Sequence, residues 1–325
     1  MSIRDKFIQN LQKSNVLTQK GLIEIFDSTI GRSTVLMPFG GRTQRTESQV
    51  SVQKLPVGNY FTNAASMMAC GYNPDIASWS PYHGAEYAVV EAITKIVAAG
   101  GRYQDIRFSF QEYFEKMGDN PFSWGKPTAA LLGALQMQKD FGLPAIGGKD
   151  SMSGSFQNIN VPPMLMAFGV AMVEAGNVIS PEFKQCGSNI YLIKHHSNDD
   201  YTPNTGALKA NFDFVSQNIS DGIICSAFAV GFGGVAEALA KMSFGNEIGA
   251  EIILLDESEL FNLSYGSIVV ETQRELCYEN AILIGKTISE KELRFDNGAI
   301  SFSIDELYKV NTEKFATIYP NISRK

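Results

Sequence analysis

The segment GGKDSMSG at 147–154 gathers the groups in this chain best suited to chemistry. Gly147 and Gly148 follow a short strand-like run, and adjacent glycines let backbone N–H groups come close to an anion. Lys149 adds a cationic point charge, and Ser151 and Ser153 add hydroxyl donors. Asp150 offers hard oxygens suited to Mg²⁺ or to a sugar hydroxyl. The same residue types also suit a tight turn in which Asp150 and the serines satisfy their own backbone, and both readings stay open. A second cationic stretch, GRSTVLMPFGGRTQR, carries Arg32, Arg42 and Arg45 among three glycines. Arginine forks there would grip phosphate oxygens in pairs, or else line a solvated loop. Glu91 and Lys95 stand four residues apart with the acid first. That spacing stabilises a helix by ~0.3 kcal/mol and leaves Glu91 a weaker candidate ligand. Gly231-Phe232-Gly233-Gly234 opens a helix, where it would face an anion or pack the helix end against a strand.

Several familiar arrangements are missing from the sequence. It has no G-x-S-x-G elbow and no G-x-x-x-x-G-K-[ST] loop, and His83, His195 and His196 show no metal-ligand spacing. Cys70, Cys186, Cys225 and Cys277 are scattered, with no C-x-x-C pair and no glutaminase-type Gly-x-Cys-x-Gly turn. This argues against a disulfide framework or a zinc site and fits a reducing cytosol.

The elements that must carry these residues follow from periodicity. At 325 residues the chain exceeds one usual core, so two domains are expected. A content of 44% apolar and 19% charged residues is that of a folded soluble protein, and a net charge of −7 gives no nucleic-acid footprint. The charged N-terminus lacks a secretory pattern, and the longest apolar run, Val161 to Val173, is too short for a membrane span. A cytoplasmic protein is expected. Two short helical segments are predicted over 3–27, strands near 50–55 and 59–69, and a helix over 82–99 with one apolar face, stopped by Gly100-Gly101. A strand at 105–110, a helix at 126–141, a short strand at 144–146 and an apolar strand at 165–173 complete this half. The polar, turn-rich run 174–188 marks the boundary between domains at 1–180 and 187–325. Beyond it, strands are predicted at 189–194, 223–230, 252–255, 267–271 and 282–286, with helices at 206–217 and 235–242. The polar loop HHSNDDYTPN follows the first of these strands. The mixture is an α/β or α+β class.

Read together, KGLIEIFDSTIGRSTVLMPFGGRTQ, WSPYHGAEYAVVEAITKIVAAGG, FSFQEYFEKMGDNPFSWGKPTAALLGALQ, LPAIGGKDSMSGSF and VGFGGVAEALAKMSFGN closely resemble phosphoribosylformylglycinamidine synthase. That family is the ATP-dependent amidotransferase of purine biosynthesis. The family enzyme has two tandem halves, each similar to aminoimidazole ribonucleotide synthetase, and in its large form a glutaminase domain. These segments look like the second half. The resemblance implies a two-domain synthetase-like fold whose first domain forms half of a β-barrel with a partner, beside a second α/β domain. It implies ATP and Mg²⁺ as cofactors of the full enzyme. It names the first half and the glutaminase domain as partners, with homodimer formation when the chain stands alone. Neither a nucleic acid nor a membrane is implied as a partner. Because the motifs of the first half and the glutaminase cysteine are unmatched, an excised fragment without synthase activity of its own is expected. A stand-alone ATP-binding homodimer of the superfamily, or a structural module with a degenerate site, is the alternative.

The resemblance also reaches a nucleotide site that some large members keep in this half. Where the family has a metal-binding Glu, an Asn four residues later and two Asp residues, this chain carries Glu91, Lys95, a position near Val52 and Lys54, and Phe232. Only Glu91 offers a hard oxygen, so no tightly bound metal–ADP is expected in this half. GGKDSMSG remains a candidate for a simple anion.

Overall fold

The computed structural model describes residues 2–29, 32–253 and 257–320. Helix α1 (Ile3–Leu11) starts at a capping box in which Ser2 and Asp5 exchange hydrogen bonds. It is followed by α2 (Lys20–Ile23) and the short strands β1 (Phe39–Gly40) and β2 (Thr46–Glu47). Strands β3 (Ser51–Lys54) and β4 (Ala64–Gly71) lead to α3 (Pro74–Trp79) and α4 (Pro81–Ala98). After β5 (Arg107–Tyr113) come α5 (Pro121–Phe141), β6 (Ala145–Lys149), the hairpin β7 (Ser155–Phe156) and β8 (Ile159–Asn160), and β9 (Met164–Glu174).

These elements build a five-stranded sheet in the order β3-β4-β9-β5-β6, antiparallel except for the parallel pair β5–β6. Strand β9 shows why one face is covered. Leu165, Ala167, Gly169 and Ala171 are buried, while Met166, Phe168, Val170 and Met172 alternate onto the less buried side. Helix α4 lies on the buried face. Its N-cap Ser80 accepts from the His83 N–H, Pro81 occupies the first turn, and Gly100 (φ +100°) follows its end. The predicted single apolar face is exceeded, because Val90, Glu91, Thr94 and Ala98 are buried as well. The helix is sandwiched between two sheets, and one core joins its residues to Phe212, Val215, Ala227 and Ile268 of the second half. Close approach needs small residues. A Cβ at Gly71 would lie 2.1 Å from the Ala88 carbonyl oxygen, and one at Gly133 would lie 2.2 Å from that of Tyr82.

The second half comprises β10 (Asn189–Ile193), α6 (Thr205–Ser220), β11 (Ile224–Ala229), α7 (Gly234–Phe244), β12 (Gly249–Ile252), α8 (Glu257–Phe261), β13 (Ile268–Thr272), β14 (Ala281–Ile288), β15 (Glu292–Phe295), β16 (Ile300–Ser303) and α9 (Ile304–Ala316). The strand expected at 252–255 instead spans 249–252, and 254–255 lie outside the described residues. Seven strands pair in the order β11-β13-β10-β14-β12-β15-β16. Both faces of this sheet are covered. Tyr191 and Ile193 of β10 join the core with α4 and α6, whereas Ile190 and Leu192 pack with α7 and with Phe7 and Leu11 of α1.

Glu271 on β13 ties the approach to this sheet in place. Its fully buried carboxylate accepts from the Lys184 and Gln185 N–H groups at 2.7 and 3.0 Å and from the Ser188 and Ser226 hydroxyls, both at 2.8 Å. The architecture is mixed α/β. The five-stranded sheet does not close into a barrel by itself among the described residues. No described helix is long and apolar enough to cross a membrane.

Candidate functional site

Two adjoining cavities, of about 720 and 400 Å³, share Asn15, Gln19, Glu47, Ser48, Gln49 and Lys241 and form one continuous cleft. The larger is walled by apolar groups such as Leu17, Phe26, Leu36, Met68 and Phe168. The smaller is floored by ionised groups from three elements: Glu47 of β2, Glu91 and Lys95 of α4, and Glu237 and Lys241 of α7. Helical spacing places each acid one turn before its lysine, so each helix presents a ready-made pair. Lys95 Nζ lies 2.7 Å from Glu91 and donates to the Cys70 carbonyl at 2.9 Å. Lys241 Nζ lies 2.8 Å from Glu237 and 2.7 Å from Glu47. Burial works against the charge on both lysines, yet the adjacent carboxylates outweigh it and hold both ammonium groups above their ordinary pKa.

The remaining oxygens of these acids are held by backbone. Glu91 Oε2 accepts the Tyr72 N–H at 2.9 Å, and Glu237 Oε2 accepts the Gly233 N–H at 2.7 Å. The GFGG turn therefore does meet an anion: the carboxylate of its own helix. Tyr72 closes one wall, with burial raising its phenol to about 12, and Tyr265 donates no proton there at ordinary pH because burial holds its pKa high.

The residues singled out from sequence fall in three places. Gly147, Gly148 and Lys149 belong to β6, at the sheet edge, so the strand runs on through the glycine pair and the loop begins only at Asp150. Lys149 Nζ donates to the Asp150 carbonyl at 2.9 Å, and the Ser151 and Ser153 hydroxyls lie 3.0 Å apart. Arg42 pairs with Glu247 at 2.5 Å, and Arg45 pairs with Glu247 at 3.3 Å and with Asp305 at 3.0 Å. Those two arginines fasten the β1–β2 region to the second half and do not line the cleft. Arg32 is exposed at φ 58°. Sequence reasoning found Glu91 and Lys95 but missed Glu237 and Lys241, which show the same spacing directly after the glycine turn. It also missed Glu47, which sits in a strand of only two residues and carries no local signal.

No family model matches the chain. Among curated proteins it is 26% identical over 315 residues to phosphoribosylformylglycinamidine synthase subunit PurL of Picrophilus torridus, covering 89% of this chain. It is 24% identical over 319 residues to the subunit of the same name from Thermoplasma acidophilum, covering 91%. Over most of its length the chain is similar to phosphoribosylformylglycinamidine synthase subunits. It spans 41% and 39% of the length of those two relatives. Its fold is that of Thermotoga maritima PurL solved in complex with ATP, at a TM-score of 0.69 and 13% identity over 94% of this chain and 52% of that one. Thiamine monophosphate kinase from Aquifex aeolicus shares the fold at a TM-score of 0.54 and 11% identity, over 76% of this chain and 94% of its own.

The donor set of the cleft does not fit a metal–nucleotide complex. Its helix carboxylates are already neutralised by Lys95 and Lys241, Phe232 offers a phenyl ring, and Val52 is buried in the core of the sheet. Mg²⁺ requires hard oxygens free to bind it.

Proposed function

We propose that this chain acts in purine biosynthesis as the second synthetase-like half of a cytoplasmic phosphoribosylformylglycinamidine synthase. In that reaction ATP phosphorylates the amide oxygen of formylglycinamide ribonucleotide. Ammonia from a glutaminase then displaces phosphate to form the amidine, so an oxygen that leaves poorly is expelled as phosphate. The observation that carries the reading is the relationship to PurL subunits along 89% of the chain. On this reading residues 1–180 form the pairing domain and 187–325 the second domain. ATP and Mg²⁺ serve the first half, while the lysine-filled cleft here stabilises the scaffold. GGKDSMSG is kept as an anion contact, with Lys149 and the serines at an exposed edge.

The open side of the five-stranded sheet supports pairing. Met68, Ile146, Val170 and Met172 expose large apolar groups, and β6 has a strand partner on one side only. Such an edge and face favour a second sheet laid against them, from the first half or from a copy of this chain. Disrupting the coding sequence should impose a growth requirement for added purine, and unchanged growth without purine would overturn the assignment. The purified chain alone, given ATP and ammonium chloride, should form no amidine.

A further inference from the structure

The two cavities of the cleft differ in chemistry in a way that a scaffold role leaves unused. Glu47, Glu91 and Glu237 line the smaller one against Lys95 and Lys241, three formal negative charges against two positive. Asp27, at the larger cavity, adds a further negative charge. The lysines cannot remove this surplus, because Lys95 serves Glu91 while Lys241 is divided between Glu237 and Glu47. Glu47 is the least satisfied of the three acids. Its Oε2 accepts from Lys241 at 2.7 Å, but its Oε1 is buried with no hydrogen-bond partner among the described residues. A buried carboxylate oxygen without a donor is unfavourable. The terminal torsion of a glutamate is broad, so a modest turn brings that oxygen to a donor entering the cleft.

Aromatic rings complete the surroundings. Tyr72, Phe228, Phe232 and Tyr265 line the smaller cavity together with the acids. Ring faces attract a cation yet offer no hard oxygen, so acids among rings favour an organic ammonium group over a metal ion. The larger cavity, about 720 Å³ with Leu36, Met68 and Phe168 in its walls, has the size and apolar lining to hold an uncharged molecular body. Where the two cavities join, Asn15 and Gln19 are exposed and add amide groups for a polar substituent.

We propose that the cleft binds a small organic cation, a primary amine whose ammonium group lies at Glu47 and whose apolar body fills the larger cavity. A phosphate-bearing ligand carries the wrong charge for this lining. The inference rests on the charge and walls of the cleft and holds whether or not the chain acts in purine biosynthesis.

The probes are 2-phenylethylamine and 3-phenylpropanoate, which share an aromatic body and carry opposite charges. Saturation-transfer NMR titrations on the full chain at pH 7 compare them. The amine should bind roughly tenfold or more tightly than the carboxylate, as a hydrogen bond to a charged group requires. Glu47→Gln should weaken the amine by about the same factor and bring the two probes together. Phe26→Ala removes a body contact at an exposed position, so it keeps the test readable if Glu47→Gln fails to fold, and it should weaken the amine several-fold. Equal affinity for the two probes in the parent chain would overturn the proposal. So would an amine affinity unchanged by either variant, or no amine binding at millimolar concentration.

Discussion

Lys241 holds two acids from two parts of the fold, and it does so while only 5% exposed. Replacing it with methionine keeps the packing but leaves Glu47 and Glu237 without their cation. Breaking a buried pair in this way costs about 3–5 kcal/mol, so urea unfolding of Lys241→Met should show a loss of that order. A loss within measurement error would mean that the floor of the cleft is wet enough not to need the lysine. Glu86 makes the opposite case. It is 1% exposed, its Oε2 has no partner, and burial, with Asp200 and Asp140 adding to it, raises its carboxyl to about 7 against a hydrogen bond from Tyr82. A raised folded-state value stabilises fully below the unfolded value of 4.5, and that contribution is lost as pH rises through about 7. Glu86→Gln should therefore gain on the order of 1–2 kcal/mol relative to the parent at pH 8 and nothing at pH 4. Equal melting shifts at both pH values would contradict the buried, proton-holding carboxyl. His195 runs the other way. Its Nδ1 faces the Tyr265 carbonyl and its Nε2 accepts the Asn204 N–H, so burial lowers its pKa and its contribution is lost as pH falls below about 6.5.

At the level of elements, a glycine decides how close α4 can come to β4. Gly71→Ala places a methyl group against the Ala88 carbonyl, and neither backbone can yield without moving the helix. A destabilisation of about 1–3 kcal/mol is expected in thermal melts, and a neutral outcome would show that the contact is looser. Strand β9 and helix α4 of the first half were legible because β9 alternates and α4 carries its own cap and stop, whereas α3, β1, β2 and the β7–β8 hairpin are too short to show a period. Helix α5 begins at Pro121, not at 126, since Asn120 and Pro121 are a start signal that outranks the later apolar residues. Strands β15 and β16 and helix α9 escaped notice. Each strand is four residues long, and the helix has charged residues through its first turn. The strand at β6 was legible but its length was not, because Gly147 and Gly148 read as punctuation until a neighbouring strand pairs with them. The cleft was half legible: helical spacing exposes an ion pair within one helix, whereas the meeting of Glu47 with Lys241 is set by tertiary structure across 194 positions.

At the scale of the whole molecule, the open sheet face sets the account. Met68, Val170 and Met172 are 45%, 40% and 49% exposed on strands whose opposite side chains are buried. A face of this kind either finds a partner or invites non-specific association. The cleft makes the complementary point, since its charges are matched internally. Calorimetric titration with Mg-ADP should give no heat beyond dilution, and a tight nucleotide complex with metal held at Glu91 would show that Lys95 and Lys241 yield their partners. Pairing through the sheet is the claim on which the functional reading leans most heavily. Light scattering of the purified chain at micromolar concentration tests it directly. The account predicts the mass of two chains, reduced to that of one by Met172→Glu on the open face. A single-chain mass for the parent, with the protein folded, would contradict it.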